Sequence, residues 1–246
     1  MIDAHCHIDL YKRPEDILNE CEALDMTVLA MTNLPSHFEV GYPFFLERKK
    51  IRLALGMHPL YAKYHENEFP SFIRNTSKTS YIGEIGLDFS QEGIATKEIQ
   101  LKTFKRLLFE LTGKKKILSI HSRRAEKEVL EHLIGYQIKS AIFHWYSGSL
   151  SLISKIYSAG FFFSINPAMI RSKTGQSIIS QIPMDYVLTE SDGPFIQNDG
   201  EVIKPRDISL VITYLSSIWQ LPQSAIQEKI NSNFHRLINT IKSSDQ

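Results

Sequence analysis

Residues 1–33 read MIDAHCHIDLYKRPEDILNECEALDMTVLAMTN, and the apolar period changes twice along them. The runs IDAHCHI and TVLAMTN have the composition of strands. Between them PEDILNECEALD has a helical period, with Pro14 placed for a first helical turn. Two strands separated by a helix imply parallel pairing through a crossover.

The alternation continues outward from this unit. Further strands are predicted at IRLALG, YIGEIGL, ILSIH, AIFHW, FFFSIN and YVLTES, and a striped helix at KEIQLKTFKRLLFEL. Eight strand and helix units in 246 residues match the size of a TIM-type (β/α)8 barrel, with a doubly wound open sheet as the structural alternative. The tail beyond Lys204 predicts two extra C-terminal helices, in DISLVITYLSSIW and SAIQEKINSNFHRLINTI. Periodicity is weak in SHFEVGYPFFLERKK, broken by Gly41 and Pro43, and in the stretch after Gly56. No linker, low-complexity segment or internal repeat interrupts the pattern, so residues 1–246 are expected to form one domain.

Composition narrows the class. Apolar residues make up 43% and charged residues 22%, as in ordinary folded domains. Lys plus Arg number 28 against 27 Asp plus Glu, which excludes a chain-wide basic footprint for duplex binding, so an anionic substrate must be held locally. Two cysteines, Cys6 and Cys21, make no disulfide framework. With no signal peptide and no apolar stretch of membrane-spanning length, a cytoplasmic location without membrane attachment is expected.

The candidate chemistry lies at strand ends. Alternation puts His5 and His7 on one face with Asp3 behind them, and turns Cys6 to the other side as a small buried hydrophobe. An isolated pair of this kind says little. Glu84, His121, His144 and Asp192, however, fall at the carboxyl ends of the fourth, fifth, sixth and eighth predicted strands, and in a closed barrel those ends meet at one mouth. Four histidines and two carboxylates suffice for two divalent ions; these residue types accept Zn, Mn, Fe or a partly hydrated Mg. Two such ions would polarise an ester and generate a hydroxide nucleophile at neutral pH, so hydrolysis is the chemistry expected.

The ordered motifs DAHCHI, GMHP, GEIGLDF, IHSRRA, FHWYSGS, FSINPAMI, ESDGPF and NFHRLI together resemble the TatD family of metal-dependent deoxyribonucleases, within the amidohydrolase-like barrels, over essentially the whole chain. The resemblance implies one metal held by His5, His7, Glu84 and Asp192 and a second by Glu84, His121 and His144, with Glu84 bridging. It implies that Asp192 orients or deprotonates the attacking water. It places His58 near the substrate phosphate, where the residues alone allow a backbone-capping role equally well, and Arg123 as a forked donor to phosphate. Glu190, sharing the inward parity of Asp192, is expected to orient a ligand or pair with Arg, and Asp3 to support the histidines. Asn233 and Arg236 are expected to tie the last helix to the barrel, and Lys114 to Lys116 to form a solvated face.

The implied activity is two-metal cleavage of DNA, single-stranded or at a strand end, from the 3′ side, with Mg as the expected ion and Zn or Mn possible. Trp145 and Tyr146 replace the Cys-Phe usual in the family, and Asn166-Pro167 a usual glycine. Aromatics at the mouth either pack a loop over the barrel rim or offer faces on which unpaired bases stack. These departures are also similar to the TatD-like component of bacterial Qat antiphage defence systems, which implies partner proteins of a defence operon. Two alternatives stay open: a related barrel hydrolase for an amide, lactone or aminoacyl ester, and a binding or scaffold subunit of low activity.

Overall fold

The computed structural model describes residues 1–242; the last four residues of the 1–246 span lie outside the described residues. Every predicted strand forms: β1 (Ile2–Cys6), β2 (Thr27–Ala30), β3 (Ile51–Leu53), β4 (Leu55–Met57), β5 (Tyr81–Gly86), β6 (Ile117–His121), β7 (Ala141–His144), β8 (Phe162–Ile165) and β9 (Val187–Thr189). The third predicted strand is split at Ala54 into β3 and β4, and Ala54 N still donates to Ala30 O at 2.8 Å. Counted as one, β3 and β4 make the set eight.

The pairings among these nine strands run parallel, in the orders β1-β2-β3 and β4-β5-β6-β7-β8-β9, and Gln197–Asn198 pairs antiparallel with Glu201–Val202 in a separate small ribbon. The ring closes because β9 lies against β1. The Thr189 hydroxyl donates to Ile2 O, and Asp192 N donates to His5 O at 3.0 Å. That contact rules out the open-sheet alternative and gives the TIM-type barrel. Parallel strands covered by helices are buried on both faces, so they read as continuous apolar runs, such as FFSI in β8 with all four residues buried.

The crossovers are α1 (Pro14–Ala23), α2 (Pro35–Gly41), α3 (His65–Asn75), α4 (Lys97–Leu111), α5 (Glu126–Gly135), α6 (Leu150–Ser158), and the pair α7 (Pro167–Arg171) and α8 (Lys173–Ile179). The extra C-terminal helices are α9 (Ser209–Trp219) and α10 (Gln223–Lys242). Helix α3 is the element sequence patterning leaves unassigned. It carries Pro70 in its interior and opens on a polar run, yet buries Phe69 and Phe72. Packing of those two rings outweighs the hydrogen bond that proline removes.

Two glycines permit the close approaches that the strand ends need. A Cβ on Gly56 would sit 1.6 Å from Thr32 O, and one on Gly86, whose φ is +145°, would sit 1.9 Å from His121 O. The expected solvated face at Lys114 to Lys116 is corrected in part. Lys116 is half-buried, its Nζ donating to the Thr76 and Thr79 carbonyls at 2.6 Å each, because the loop before β6 packs against the end of α3.

Asn233, buried on α10, donates from Nδ2 to Met184 O and Val187 O at 2.8 Å each, so the last helix is stitched to the start of β9. Arg236 adds a bond to Asp185 O and lies over the Phe162 and Tyr186 rings. Asn233→Ala leaves two carbonyls without their donor and is expected to lower stability by about 1–3 kcal/mol, read from urea unfolding midpoints.

His65 opens α3 with Nε2 donating to His58 O at 3.0 Å, while its buried Nδ1 has no partner. Burial depresses its pKa to about 4. The folded pKa lies below the unfolded value near 6.5, so the unfolded chain binds the extra proton first and stability falls as pH drops from about 6.5 to 4. In His65→Gln that acid-side loss is expected to shrink by roughly 3 kcal/mol, measured as unfolding free energy at pH 7 and pH 4; an unchanged pH slope would refute it.

Candidate metal centre

The barrel brings its polar residues together at the carboxyl ends of the strands. His5 lies on β1 and His7 just beyond it, His58 follows β4, Glu84 lies on β5, and His121 and His144 end β6 and β7. Asp192 comes three residues after β9 in the left-handed region, with φ +46°, which Asp tolerates better than most residues. That turn swings its carboxylate over β1, to 3.7 Å from His5 Nε2. Cys6 points away, its Sγ 3.6 Å from Gly193 O.

Glu84 is the hub. Its Oε2 lies 3.1 Å from His7 Nε2 and 3.5 Å from His5 Nε2. Its Oε1 lies 2.6 Å from His121 Nδ1, 2.7 Å from His144 Nε2 and 3.3 Å from His58 Nε2. Each oxygen thus faces a different set of imidazoles. Three sets each bring one ligand atom per residue within 4.8 Å of the others: His5, His7 and Glu84; His5, His144 and Asp192; and His58, Glu84 and His121.

The chemistry of this set fits divalent cations. His5 Nε2 and His7 Nε2 stand only 3.2 Å apart while both face one carboxylate oxygen, so a neutral pair would set lone pair against lone pair or leave a proton shared awkwardly. A cation among them satisfies every donor at once. The sequence resemblance divided the ligands differently. It left His58 outside, whereas here His58 accepts from Leu60 N through Nδ1 at 3.1 Å and turns Nε2 toward Glu84. His58 thus caps a backbone N–H with one ring nitrogen and faces the Glu84 carboxylate with the other.

Behind these groups stands a layer of hydrogen bonds. His5 Nδ1 lies 2.7 Å from Ser119 Oγ. Asp3 accepts from Ser191 N at 2.9 Å, Ser191 Oγ at 2.6 Å and His5 N at 3.2 Å. Glu190 accepts from Trp145 N at 3.0 Å, Asn166 Nδ2 at 2.9 Å and Ser164 Oγ, and approaches His144 Nδ1 to 3.8 Å. It pairs with no arginine. Patterning missed Ser119, Ser164 and Ser191, which are small hydroxyls within apolar strands or turns, and Asp88, whose Oδ2 lies 2.7 Å from His121 Nε2.

The electrostatics follow burial and charge. Burial works against the charged Glu84, but the surrounding imidazoles, His58 and His144 foremost, hold its pKa well below the usual range. Burial lowers the pKa of His5. For His144 burial also opposes charge, but Glu84 and Glu190 raise the pKa well above normal. Asp192 is pushed up, first by burial and, against the pull of His144, by the neighbouring carboxylates Glu190 and Glu84. Burial raises Asp3 to about 7 despite its hydrogen bonds.

The centre opens into a cleft of about 560 Å³. Leu60, Tyr61, Trp145 and Phe195 line it, together with Arg123 and Glu92, whose charges stand 3.4 Å apart. The expectation that Tyr146 meets substrate is corrected. It is 1% exposed, packs on Phe143 and Phe163, and donates to Ser149 O at 2.7 Å. Phe195, 57% exposed and edge-on to His7 at 5.1 Å, supplies the second aromatic wall. It sits in a loop where no periodicity marks it.

This arrangement agrees with what the chain is similar to. An uncharacterized metal-dependent hydrolase of Methanocaldococcus jannaschii is 26% identical over 241 residues, covering 94% of each chain. The human deoxyribonuclease TATDN3 is 24% identical over 257 residues, covering 96% of this chain and 94% of the relative. The crystal structure of YJJV, a TatD homolog from Escherichia coli, superposes with a TM-score of 0.86 at 22% identity, covering 97% of this chain and 98% of that one. The model of the TatD related DNase family matches residues 2–239, and the chain belongs to that family.

Proposed function

We propose that this chain is a two-metal phosphodiesterase that cleaves DNA from an exposed 3′ end. The observation that carries the reading is Glu84, one buried carboxylate with an oxygen turned to each of two imidazole sets. His5, His7, Glu84 and Asp192 would hold one ion, and Glu84, His121 and His144, with His58 beside them, the other. Bound there, Mg, Mn or Zn would supply Lewis acidity toward the phosphoryl oxygens and make water acidic enough to attack at neutral pH.

The protein groups do the rest. Asp192, its carboxylate turned toward His5 across the barrel seam, would orient the attacking water and take its proton. Arg123 leaves Glu92 to fork onto a phosphate at the rim. Trp145 and Phe195 give the terminal bases a face to stack on. A barrel mouth accepts a strand end more easily than a duplex interior, which supports action at an end. The family supports DNA and hydrolysis; the 3′ polarity comes from the resemblance. The whole chain serves as one catalytic domain.

Among the described residues no helix is long and apolar enough to cross a membrane, and both cysteines are unpaired and buried, which supports work in the cytoplasm. The divergent FHWYSGS and SINPAM motifs support the further placement beside partner proteins of an antiphage system.

Metal-stripped protein resupplied with Mg, Mn or Zn should degrade 3′-labelled single-stranded DNA from its labelled end, and Glu84→Gln should lose more than about 100-fold in rate. Equal rates for the variant and the wild type would sink the two-metal mechanism. Turnover of aryl esters with none of DNA or RNA would move the substrate to another class.

Phe195→Ala should raise KM for single-stranded oligonucleotides about 5- to 150-fold, the equivalent of one stacked base at about 1–3 kcal/mol. KM for bis(p-nitrophenyl) phosphate, which carries no base, should move far less. A parallel rise for both substrates would remove Phe195 from base recognition.

A further inference from the structure

Asp88 is fully buried at the floor of the cleft, and both its oxygens are engaged. Oδ1 accepts from Ser90 N at 2.8 Å, and Oδ2 lies 2.7 Å from His121 Nε2. Its loop is held from two sides. Asp88 N donates to Gln100 Oε1 at 2.8 Å, and Gln100 Nε2 donates to Gly93 O at 2.8 Å. A Cβ on Gly93 would fall 2.2 Å from Asp88 O, so the loop folds this tightly only with glycine there. On the other flank Leu87 N and Phe89 N donate to His121 O and Arg123 O, which fixes Asp88 opposite the imidazole.

His121 therefore stands between two carboxylates, Glu84 at Nδ1 and Asp88 at Nε2. A neutral imidazole carries one proton, on one nitrogen or the other. We propose that Asp88 is a positioning residue that accepts the Nε2 proton of His121, fixing the tautomer whose Nδ1 lone pair is free to hold a divalent ion beside Glu84. The proposal rests on the reading of this cluster as a metal centre. It also accounts for a carboxylate at this position. Ser90 N and His121 Nε2 are both donors, and an amide side chain has one accepting oxygen, so Asn would set its NH2 against one of them.

The test uses the whole chain, Zn²⁺ alone as the probe, and two readouts that need no turnover. In Zn²⁺-loaded protein labelled with ¹⁵N-histidine, the His121 ring, assigned by its loss in His121→Gln, should carry its proton on Nε2. Asp88→Asn should weaken Zn²⁺ binding about 10- to 100-fold in competition with a chelator. An Nδ1–H tautomer in the wild type, or an Asp88→Asn variant that matches the wild type in affinity, would overturn the proposal. Should Asp88→Asn fail to fold, the wild-type tautomer decides alone. A wild type that takes up no Zn²⁺, Mg²⁺ or Mn²⁺ would overturn the metal-centre reading itself, a result separate from any effect of Asp88.

Discussion

The whole structure answers to one buried carboxylate. Glu84 is 2% exposed, and an ionised acid at that depth costs several kcal/mol unless opposite charge or strong donors surround it. No neighbour along the chain supplies them. Its partners are His5, His7, His58, His121 and His144, which come from the ends of β1, β4, β6 and β7. The barrel, whose strand ends converge on one mouth, brings these residues, far apart in sequence, within 4 Å of a single side chain.

The same hydrogen bonds that orient the site also close the barrel. Asp3 on β1 reaches across the seam to Ser191 after β9, and Asp192 N donates to His5 O on that seam. The seam that closes the barrel is thus also the one that presents Asp192 to His5. This makes the polar layer behind the histidines structural and chemical together. Asp3, Ser119, Ser164 and Glu190 are buried within strands or just beyond them, where an apolar residue would pack at least as well. Their placement follows from the site and not from the demands of the core.

The strands were legible because parallel strands buried on both faces are short, dense apolar runs, and the six main polar groups were legible because they break those runs at one end. The rest lay where local pattern carries no such signal. Helix α3 hides behind Pro70 and a polar start. Asp88 continues the parity of Glu84 and Gly86, but lies beyond the strand, where alternation ceases to be enforced by pairing. Trp145 and Tyr146 looked equivalent as neighbours. The chain turns at Trp145, with φ +36°, so one ring faces the cleft and the other enters the core. Phe195 could be found only from the fold, since loop aromatics have no period.

The charges lining the cleft decide what it can bind. Glu84, Asp88, Glu92 and Asp192 are acids, and Arg123, already paired with Glu92, is the only Lys or Arg among the lining residues. Duplex binding draws its affinity from many lysine and arginine contacts to phosphate, and this cleft offers no such track. On the two-metal reading the ions would supply the positive charge that holds a phosphate, and the aromatic side chains Trp145 and Phe195, which carry no charge, would set which part of the nucleic acid enters. On the proposed reading such a cleft would favour an unpaired end, because there bases are free to leave their own stack for Trp145 and Phe195.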